Sequence, residues 1–234
     1  METIGPDVID VWSWRLDISP PDLDMPVALL SPDECARAGR FVHDRDIHRF
    51  IIARSRMRLI LARYLGLSPQ SIRFSYSENG KPYVSDAGAS PVHFNLTHSA
   101  DLAMLAVSDR YELGIDIEEM RVLKEDIAKW FFSRSECETL NALPPEDYLD
   151  GFYRCWTRKE AFVKAHGAGL SLPLDSFDMI FDRLHEPRLH RFEGHPDAPE
   201  NWAVLELAVP INFAGAVVAS TGGHRVHLRY RDAP

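Results

Sequence analysis

The sequence has few cysteines, and they are widely and irregularly spaced. The three stand at Cys35, Cys137 and Cys155. Disulfide frameworks in small secreted proteins use an even number of cysteines, and zinc sites use closely spaced ligand pairs, so this pattern fits neither. We therefore expect a reduced, cytoplasmic protein.

Long apolar runs and phosphate-loop glycine patterns are missing too. No stretch approaches the roughly 18 apolar residues of a membrane-spanning helix. The first residues, METIGPDVIDVWSWRLD, carry acids and lack the basic and apolar regions of a signal peptide. The glycines of AHGAGL match neither a P-loop nor a dinucleotide fingerprint. We expect no membrane association and no nucleotide site of those two types.

Positive charge is scarce in the chain as a whole but concentrated in one segment. The net charge is −9, which argues against general nucleic-acid binding. Residues 37–63 nevertheless hold eight arginines against two aspartates, an excess of six positive charges. Either a solvated helix face or a site for a compact anionic ligand accounts for that excess.

The pattern of elements favours an α+β fold with largely antiparallel sheets. Apolar spacing predicts helices over 31–40, 46–65 and 149–166, with a helix start at Ser133. Strands and helices occur in each half without regular alternation, which is untypical of a parallel sheet. The strand patterns cover residues 8–18, 72–76, 92–96, 102–108, 111–118, 177–182, 202–209, 213–219 and 225–231.

The stretch LGIDIE places two acids on one side of a predicted strand. Side chains alternate along a strand, so Asp116 and Glu118 share a face while the isoleucines fill the other. Two carboxylates about 4 Å apart repel by about 4 kcal/mol at an effective dielectric of about 20. Either solvent screens them on an exposed face, or an arginine or a divalent cation offsets their charge.

The stretch WTRKEAFVKAHGAGL predicts a helix on which Glu160 and Lys164 share a face. Glu160 meeting Asp116 and Glu118 would form an all-oxygen site, which suits Mg²⁺ better than zinc. Lys164 would then bind a phosphate oxygen and stabilise a leaving group. The alternative is a surface ion pair worth only about 0.3–0.5 kcal/mol.

Six motifs in this order resemble the Sfp-type 4′-phosphopantetheinyl transferases. The resemblance runs from about Arg40 to Phe177, and the residues after it match no motif of that family. The motifs are GKPY (80–83), FNLTHS (94–99), GIDIE (114–118), FFSRSE (131–136), WTRKEAFVKAHGAGL (156–170) and LPLDSF (172–177).

The resemblance implies a pseudo-dimeric two-lobe fold with coenzyme A bound in the cleft between the lobes. The N-terminal α+β lobe would span 1–110 and carry the basic helix, and the C-terminal α+β lobe would span 111–234 and carry the catalytic helix. Mg²⁺, or Mn²⁺ in its place, would be held by Asp116, Glu118 and Glu160.

The resemblance also implies which residues bind coenzyme A and which catalyse. Asp116, Glu160 and Lys164 would be catalytic, with Glu160 taking a proton directly or through water. The implied contacts to coenzyme A are Arg49, Arg54, Arg58, Lys81, Pro82, Thr97, His98, Lys159 and Lys164.

The predicted activity is Mg²⁺-dependent transfer of 4′-phosphopantetheine from coenzyme A to a serine of an apo acyl or peptidyl carrier protein. Adenosine 3′,5′-bisphosphate would be released, and the protein would be a monomer. A metal-dependent nuclease or phosphohydrolase is one alternative, although Met120 stands where a common nuclease pattern has lysine. A non-catalytic coenzyme A-binding module is another.

Overall fold

The computed structural model describes residues 2–17, 24–85, 92–123 and 125–233. The first half contains one long helix, α3, among shorter elements. Its elements are β1 (Val8–Arg15), α1 (Asp24–Ala28), α2 (Pro32–Ala38), α3 (Asp44–Leu65), β2 (Phe74–Tyr76), β3 (Pro82–Val84), β4 (His93–Ser99) and β5 (Leu102–Ser108).

The second half begins with the strand that carries the two acids. Its elements are β6 (Leu113–Glu119), α4 (Ala128–Phe131), α5 (Arg134–Asn141), α6 (Tyr148–His166), β7 (Phe177–Ile180), β8 (Arg188–Phe192), α7 (Ala198–Asn201), β9 (Trp202–Glu206), β10 (Phe213–Ser220) and β11 (His227–Asp232).

Two sheets form the middle of the molecule. One has the strand order β11-β1-β5-β4 and the other β6-β10-β9, with hairpins β2-β3 and β7-β8 beside them. All described strand pairs are antiparallel except β1 with β11, which is parallel. The prediction of an α+β fold with largely antiparallel sheets is confirmed.

The alternation of side chains along the strands creates a layered interior. On β1, Trp12 and Trp14 pack with α3, whereas Ile9 and Val11 join a central core between the two sheets. On the far side of the second sheet, Phe162 of α6 packs with strands β7 and β10. The order of layers is therefore α3, first sheet, second sheet, α6.

The last strand crosses the division expected at residue 110. β11 lies beside β1, with Val8 opposite His227 and Ser13 opposite Asp232. Arg229 also binds the buried Asp10 through two hydrogen bonds of 2.6 and 2.9 Å. The C-terminal end of the chain thus completes the N-terminal sheet, which a simple split into 1–110 and 111–234 does not include.

The boundaries of the predicted elements agree with the sequence patterns to within a few residues, but the short elements α1, β3, α4, β8 and α7 were not predicted. Helix α3 ends where Gly66 adopts a left-handed φ of 66°, as the sequence predicts. Strand β7 stops at Ile180 rather than at residue 182. Within the described residues no helix is long and apolar enough to cross a membrane.

Candidate active site

A polar cavity of about 410 Å³ lies between β4, β6 and α6. It brings together the three acids, the histidine and the lysine that the sequence singled out from separate motifs. The lining residues are Leu96, Thr97, His98, Asp116, Glu118, Trp156, Glu160 and Lys164.

Gly114 allows α6 to approach β6 closely. A Cβ atom at this position would overlap the carbonyl oxygen of Ala161 and lie 2.8 Å from the Cβ of Lys164. Only glycine leaves the helix room at this distance, and glycine inside a strand commonly marks such an approach. Asp116, two residues beyond Gly114 on β6, is therefore in contact with Lys164 of α6.

Asp116 has one satisfied oxygen and one unsatisfied oxygen. Its Oδ1 accepts hydrogen bonds from Lys164 Nζ at 2.6 Å and from Thr97 Oγ1 at 3.2 Å. Its Oδ2 is buried and has no hydrogen-bond partner among the described residues. Burial raises the pKa of Asp116 above its usual range, although Lys164 opposes that shift. A carboxylate oxygen of this kind can serve as a ligand for a divalent cation.

The other two acids repel Asp116 and each other. Burial raises the pKa of Glu118, and the charge of Asp116 adds to the shift. Burial also raises the pKa of Glu160, with further contributions from Asp116 and Glu118. One ammonium, that of Lys164, faces three carboxyl groups, so the cavity has an excess of negative charge that a divalent cation would offset.

The three acids do not by themselves enclose an ion. In the part of the chain that the structure describes, no three His, Cys, Asp or Glu side chains stand close enough to hold a metal directly. Mg²⁺ usually keeps several waters and is bound through one or two carboxylates plus substrate phosphates. The arrangement therefore fits an ion whose shell is completed by water and an anionic ligand.

Alternate side chains of β4 support β6 from the side. Asn95 Oδ1 accepts a hydrogen bond from Ile115 N at 2.9 Å, and Ser99 Oγ accepts one from Glu119 N at 3.0 Å. Ser99 Oγ in turn donates to Glu118 Oε2 at 2.8 Å. The period-2 polar positions of FNLTHS could have indicated Asn95 and Ser99, which sequence analysis missed.

Thr97 belongs to the same row of β4 side chains. It is buried, and its hydroxyl accepts from Ile117 N at 3.4 Å besides donating to Asp116. Sequence analysis placed it in contact with coenzyme A. Its hydroxyl is instead occupied in holding the strand and carboxylate that flank it.

His98 lies at the mouth of the cavity with positive charge on two sides. Partial desolvation lowers its pKa, and the charges of Lys164 and Arg49 lower it further. Arg49 itself is paired with Asp17 at 2.8 Å and keeps a fifth of its side chain exposed. This corner of the cavity can accept an anionic group.

Two of the arginines that were expected to bind coenzyme A, Arg54 and Arg58, are buried in ion pairs within the protein. Arg54 and Arg58 bind opposite oxygens of Glu34 at 2.7 and 2.6 Å, and all three side chains are buried. Arg58 also donates to the carbonyls of Pro69 and Ile72. Buried charges are stable only when paired and hydrogen-bonded, and these are.

Lys159 is likewise enclosed and not available to a ligand. Its side chain is 0% exposed and pairs with Glu136 at 2.7 Å. The sequence motif places it beside Glu160, but consecutive helix residues are about 100° apart around the axis. Its assignment as a coenzyme A contact is therefore corrected.

A larger groove of about 920 Å³ adjoins the cavity and shares Glu160 and Lys164 with it. Lys81 and Pro82 line one side, where Lys81 also binds Glu112 at 3.0 Å and the carbonyl oxygen of Leu113 at 3.0 Å. Sequence analysis did not identify the rest of its lining. Among those residues are Asn79, Trp130, Phe131, Leu170, Leu172 and Leu174.

Two family models together match nearly the whole chain. Residues 13–110 match the model described as "4′-phosphopantetheinyl transferase, N-terminal", and residues 112–218 match the 4′-phosphopantetheinyl transferase superfamily. The junction between the two matches falls at the start of β6. Both matched segments contribute residues to the cavity.

Curated relatives align along most of their length. The 4′-phosphopantetheinyl transferase HetI of Nostoc sp. is 37% identical over 94% of this chain and 91% of its own. A 4′-phosphopantetheinyl transferase of Bacillus subtilis is 41% identical over 85% of this chain and 90% of its own. The transferase Sfp of Bacillus subtilis strain 168 is 39% identical over 68% and 69%.

Proposed function

The chain belongs to the 4′-phosphopantetheinyl transferase superfamily, and from that premise we propose that coenzyme A is its donor and an apo acyl or peptidyl carrier protein its acceptor. The serine hydroxyl of the carrier attacks the phosphorus that bears the pantetheine arm. A new phosphorus–oxygen bond forms to serine, the diphosphate bond breaks, and adenosine 3′,5′-bisphosphate leaves.

One observation carries this proposal: Asp116, Glu118, Glu160 and Lys164 converge on a single cavity from β6 and α6. Phosphoryl transfer requires mainly positioning and charge stabilisation. The carboxylate oxygens can bind a divalent cation, and the ammonium group can bind an oxygen of the diphosphate.

Mg²⁺ fits this donor set. Asp116, Glu118 and Glu160 would hold it together with water and the diphosphate rather than as three direct ligands, because all are oxygen donors and Asp116 Oδ2 is buried with no hydrogen-bond partner in the described part of the chain. Mn²⁺ would suit the same ligands. When bound, the ion would supply positive charge where the diphosphate carries and gains negative charge.

Glu160 is proposed as the acceptor of the serine proton. Its raised pKa makes it a stronger base than a solvated glutamate, and it lines the cavity in which the diphosphate and the attacking hydroxyl would meet. Lys164 would turn from Asp116 Oδ1 toward a phosphate oxygen and stabilise the leaving group. His98 and Arg49 would contact the donor's phosphates.

Lys81 and Pro82 are proposed to lie beside the nucleotide portion of coenzyme A. Both line the groove next to the cavity, and Lys81 keeps 18% of its side chain exposed despite its bond to Glu112. Arg54, Arg58 and Lys159 are not part of this proposal, since each is buried in an ion pair. A monomeric state, cytoplasmic localisation and the absence of nucleic-acid partners stay predictions.

Mass spectrometry of apo carrier proteins tests the proposal. Acyl and peptidyl carriers are incubated separately with the protein, Mg²⁺ and coenzyme A, and each is weighed for a phosphopantetheine adduct. We expect an adduct on at least one carrier and none when a chelator removes the divalent ion. Absence of an adduct on every carrier would contradict the proposal.

A matched pair of variants tests the role of Glu160. Glu160→Gln removes the base while keeping the size of the side chain, so transfer should slow by at least about 10²-fold. Glu146→Gln changes an exposed acid in the turn before α6 and should transfer at the wild-type rate. Equal rates for both variants would remove Glu160 from the mechanism.

A further inference from the structure

Lys159 is the one lysine of α6 whose ammonium group is enclosed by protein. Its side chain is 0% exposed, and its Nζ lies 2.7 Å from Glu136 Oε2. It also donates to the carbonyl oxygens of Leu174 at 2.7 Å and Phe177 at 2.6 Å. Of its three donors, two are used in these hydrogen bonds, and the carboxylate of Glu136 supplies the opposite charge.

One of these acceptors, the carbonyl oxygen of Leu174, belongs to a wall of the groove, and another, that of Phe177, lies just beyond it. The segment 169–175, which follows α6, contributes most of its residues to the lining of the 920 Å³ groove that contains Glu160. Phe177 comes directly after this wall at the start of β7. Lys159 therefore binds the end of the wall to the helix that carries Glu160.

The backbone turn of the wall has long hydrogen bonds. They measure 3.4 Å from Ser171 N to the carbonyl of Ala168 and 3.3 Å from Leu172 N to that of Gly169. Leu170 is fully exposed. Two shorter bonds also hold the segment, from Ser171 Oγ to the carbonyl of Ala168 at 2.7 Å and from Arg191 to that of Asp175 at 3.0 Å. The two short bonds from Lys159 are those that attach the end of the segment to α6.

We propose that Lys159 is a positioning residue, which sets the distance between the groove wall 169–175 and Glu160. The inference rests on the proposed function, in which the groove holds substrate beside Glu160. Glu136 supplies the counter-charge that allows the ammonium group to be buried, and it is fixed by bonds from Ser133 N and Met179 N.

A neutral double variant, Lys159→Met with Glu136→Gln, removes the anchor without leaving a buried charge unpaired. Glutamine keeps an oxygen that can accept from Met179 N, whereas methionine donates nothing to Leu174 or Phe177. The matched control is Arg158→Met with Glu206→Gln. Arg158 is the preceding residue and is also buried, and it binds Glu206 at 2.7 Å and the carbonyl of Ile180 at 2.6 Å. Arg158, Glu206 and Ile180 do not line the groove.

The two double variants should differ in the groove and not in overall stability. For the Lys159 pair we expect faster amide hydrogen exchange in residues 169–177 and a fall of at least about tenfold in kcat/KM for coenzyme A, since small misplacements near a reacting centre are costly. The Arg158 pair should keep wild-type exchange in that segment and a kcat/KM within about threefold of the wild type. Melting temperatures are measured for both.

Equal losses of kcat/KM in the two pairs, or wild-type exchange at 169–177 in the Lys159 pair, would overturn the inference. The exchange measurement needs no turnover, so it distinguishes this failure from a failure of the proposed function, in which the wild type itself modifies no carrier. If the Lys159 pair does not fold, Lys159→Arg replaces it. That variant keeps the charge but replaces the ammonium group by a larger planar guanidinium group, which cannot donate to the two carbonyls in the same geometry. It should raise amide hydrogen exchange in residues 169–177 while the protein stays folded.

Discussion

Thr97 is a buried hydroxyl whose two hydrogen bonds both go to β6. It donates to Asp116 Oδ1 and accepts from Ile117 N. A residue with this geometry affects catalysis through the carboxylate it orients rather than through a ligand it binds. The adjacent His98 lines the same cavity but is exposed, whereas Thr97 is buried.

Thr97→Val separates these two roles. The change keeps the shape of the side chain but removes the hydroxyl, so Asp116 loses one of its two donors. We expect kcat to fall about tenfold, while the Kd for coenzyme A, measured by calorimetry, stays within about twofold. Thr97→Ser, which restores a hydroxyl, should behave as the wild type. Weakened coenzyme A binding with an unchanged kcat would show instead that Thr97 contacts the ligand.

Glu112 provides a test of acid stability at a contact between the two halves of the chain. The hydrogen bond with His93, assisted by the charge and hydrogen bond of Lys81, lowers the pKa of Glu112 to about 2 from an ordinary value of 4.5. Between these values the unfolded chain binds more protons at this position than the folded chain does. The stabilisation is therefore complete above about pH 4.5 and is lost as the pH falls toward 2.

Glu112→Gln should reduce the free energy of unfolding by about 1 kcal/mol at pH 6, a modest value because half of the side chain is exposed. Urea denaturation from pH 6 down to 3 should show the difference between wild type and variant shrinking. In a His93→Ala background the same comparison should give a smaller difference throughout. A difference that is constant with pH would contradict the assignment.

At the scale of elements, the distance between β6 and α6 decides whether the acids can share a ligand. Gly114 sets that distance, because its missing Cβ is the space that Ala161 and Lys164 approach. Asp116 and Glu160 lie on the two elements that this contact brings together. The glycine of GIDIE is thus needed for the packing of α6 against β6, whether or not a ligand is bound.

Gly114→Ala should push α6 away from β6. Overpacking of this kind costs about 1–3 kcal/mol, and a displaced Glu160 should reduce transfer by about 10²-fold. The matched control is Gly151→Ala near the start of α6, where a Cβ would overlap Leu143 Cδ1 and lie 3.2 Å from Leu140 Cδ1, both side-chain atoms of residues that do not line the cavity. It should lower stability similarly but keep more activity. A crystal structure of each variant would measure the β6–α6 separation, and unchanged separation in Gly114→Ala would contradict the argument.

The elements that sequence alone predicted are those with a local period. Alternation in LGIDIE identified the face of Asp116, and helical spacing identified α3 and α6, because each pattern is complete within one element. The buried pairs could not be predicted in this way. Arg58 meets Glu34 across 24 residues, and in sequence its charge looks the same as that of a solvated arginine.

At the scale of the whole molecule, the two halves share one interior. The central core mixes Ile9 and Val11 of β1 with Ile115 and Ile117 of β6 and Val217 of β10. The pairing of β1 with β11 joins residues more than 200 positions apart, which no local pattern indicates. Neither half therefore buries its own apolar strand faces without the other.

A fragment of residues 1–110 tests this dependence. It would expose the side of β1 and β5 that faces the central core, and it would leave β1 as a free sheet edge. It would also remove Arg229, the ion-pair partner of the buried Asp10. We therefore expect no cooperative unfolding transition for the fragment, measured by circular dichroism in urea, whereas the full chain should unfold in one transition. Co-expression of 1–110 with 111–234 should restore the transition, because it returns both β11 and the second sheet. A fragment 1–110 that unfolds cooperatively alone would show that the N-terminal lobe is an independent domain and that β11 adds only an edge.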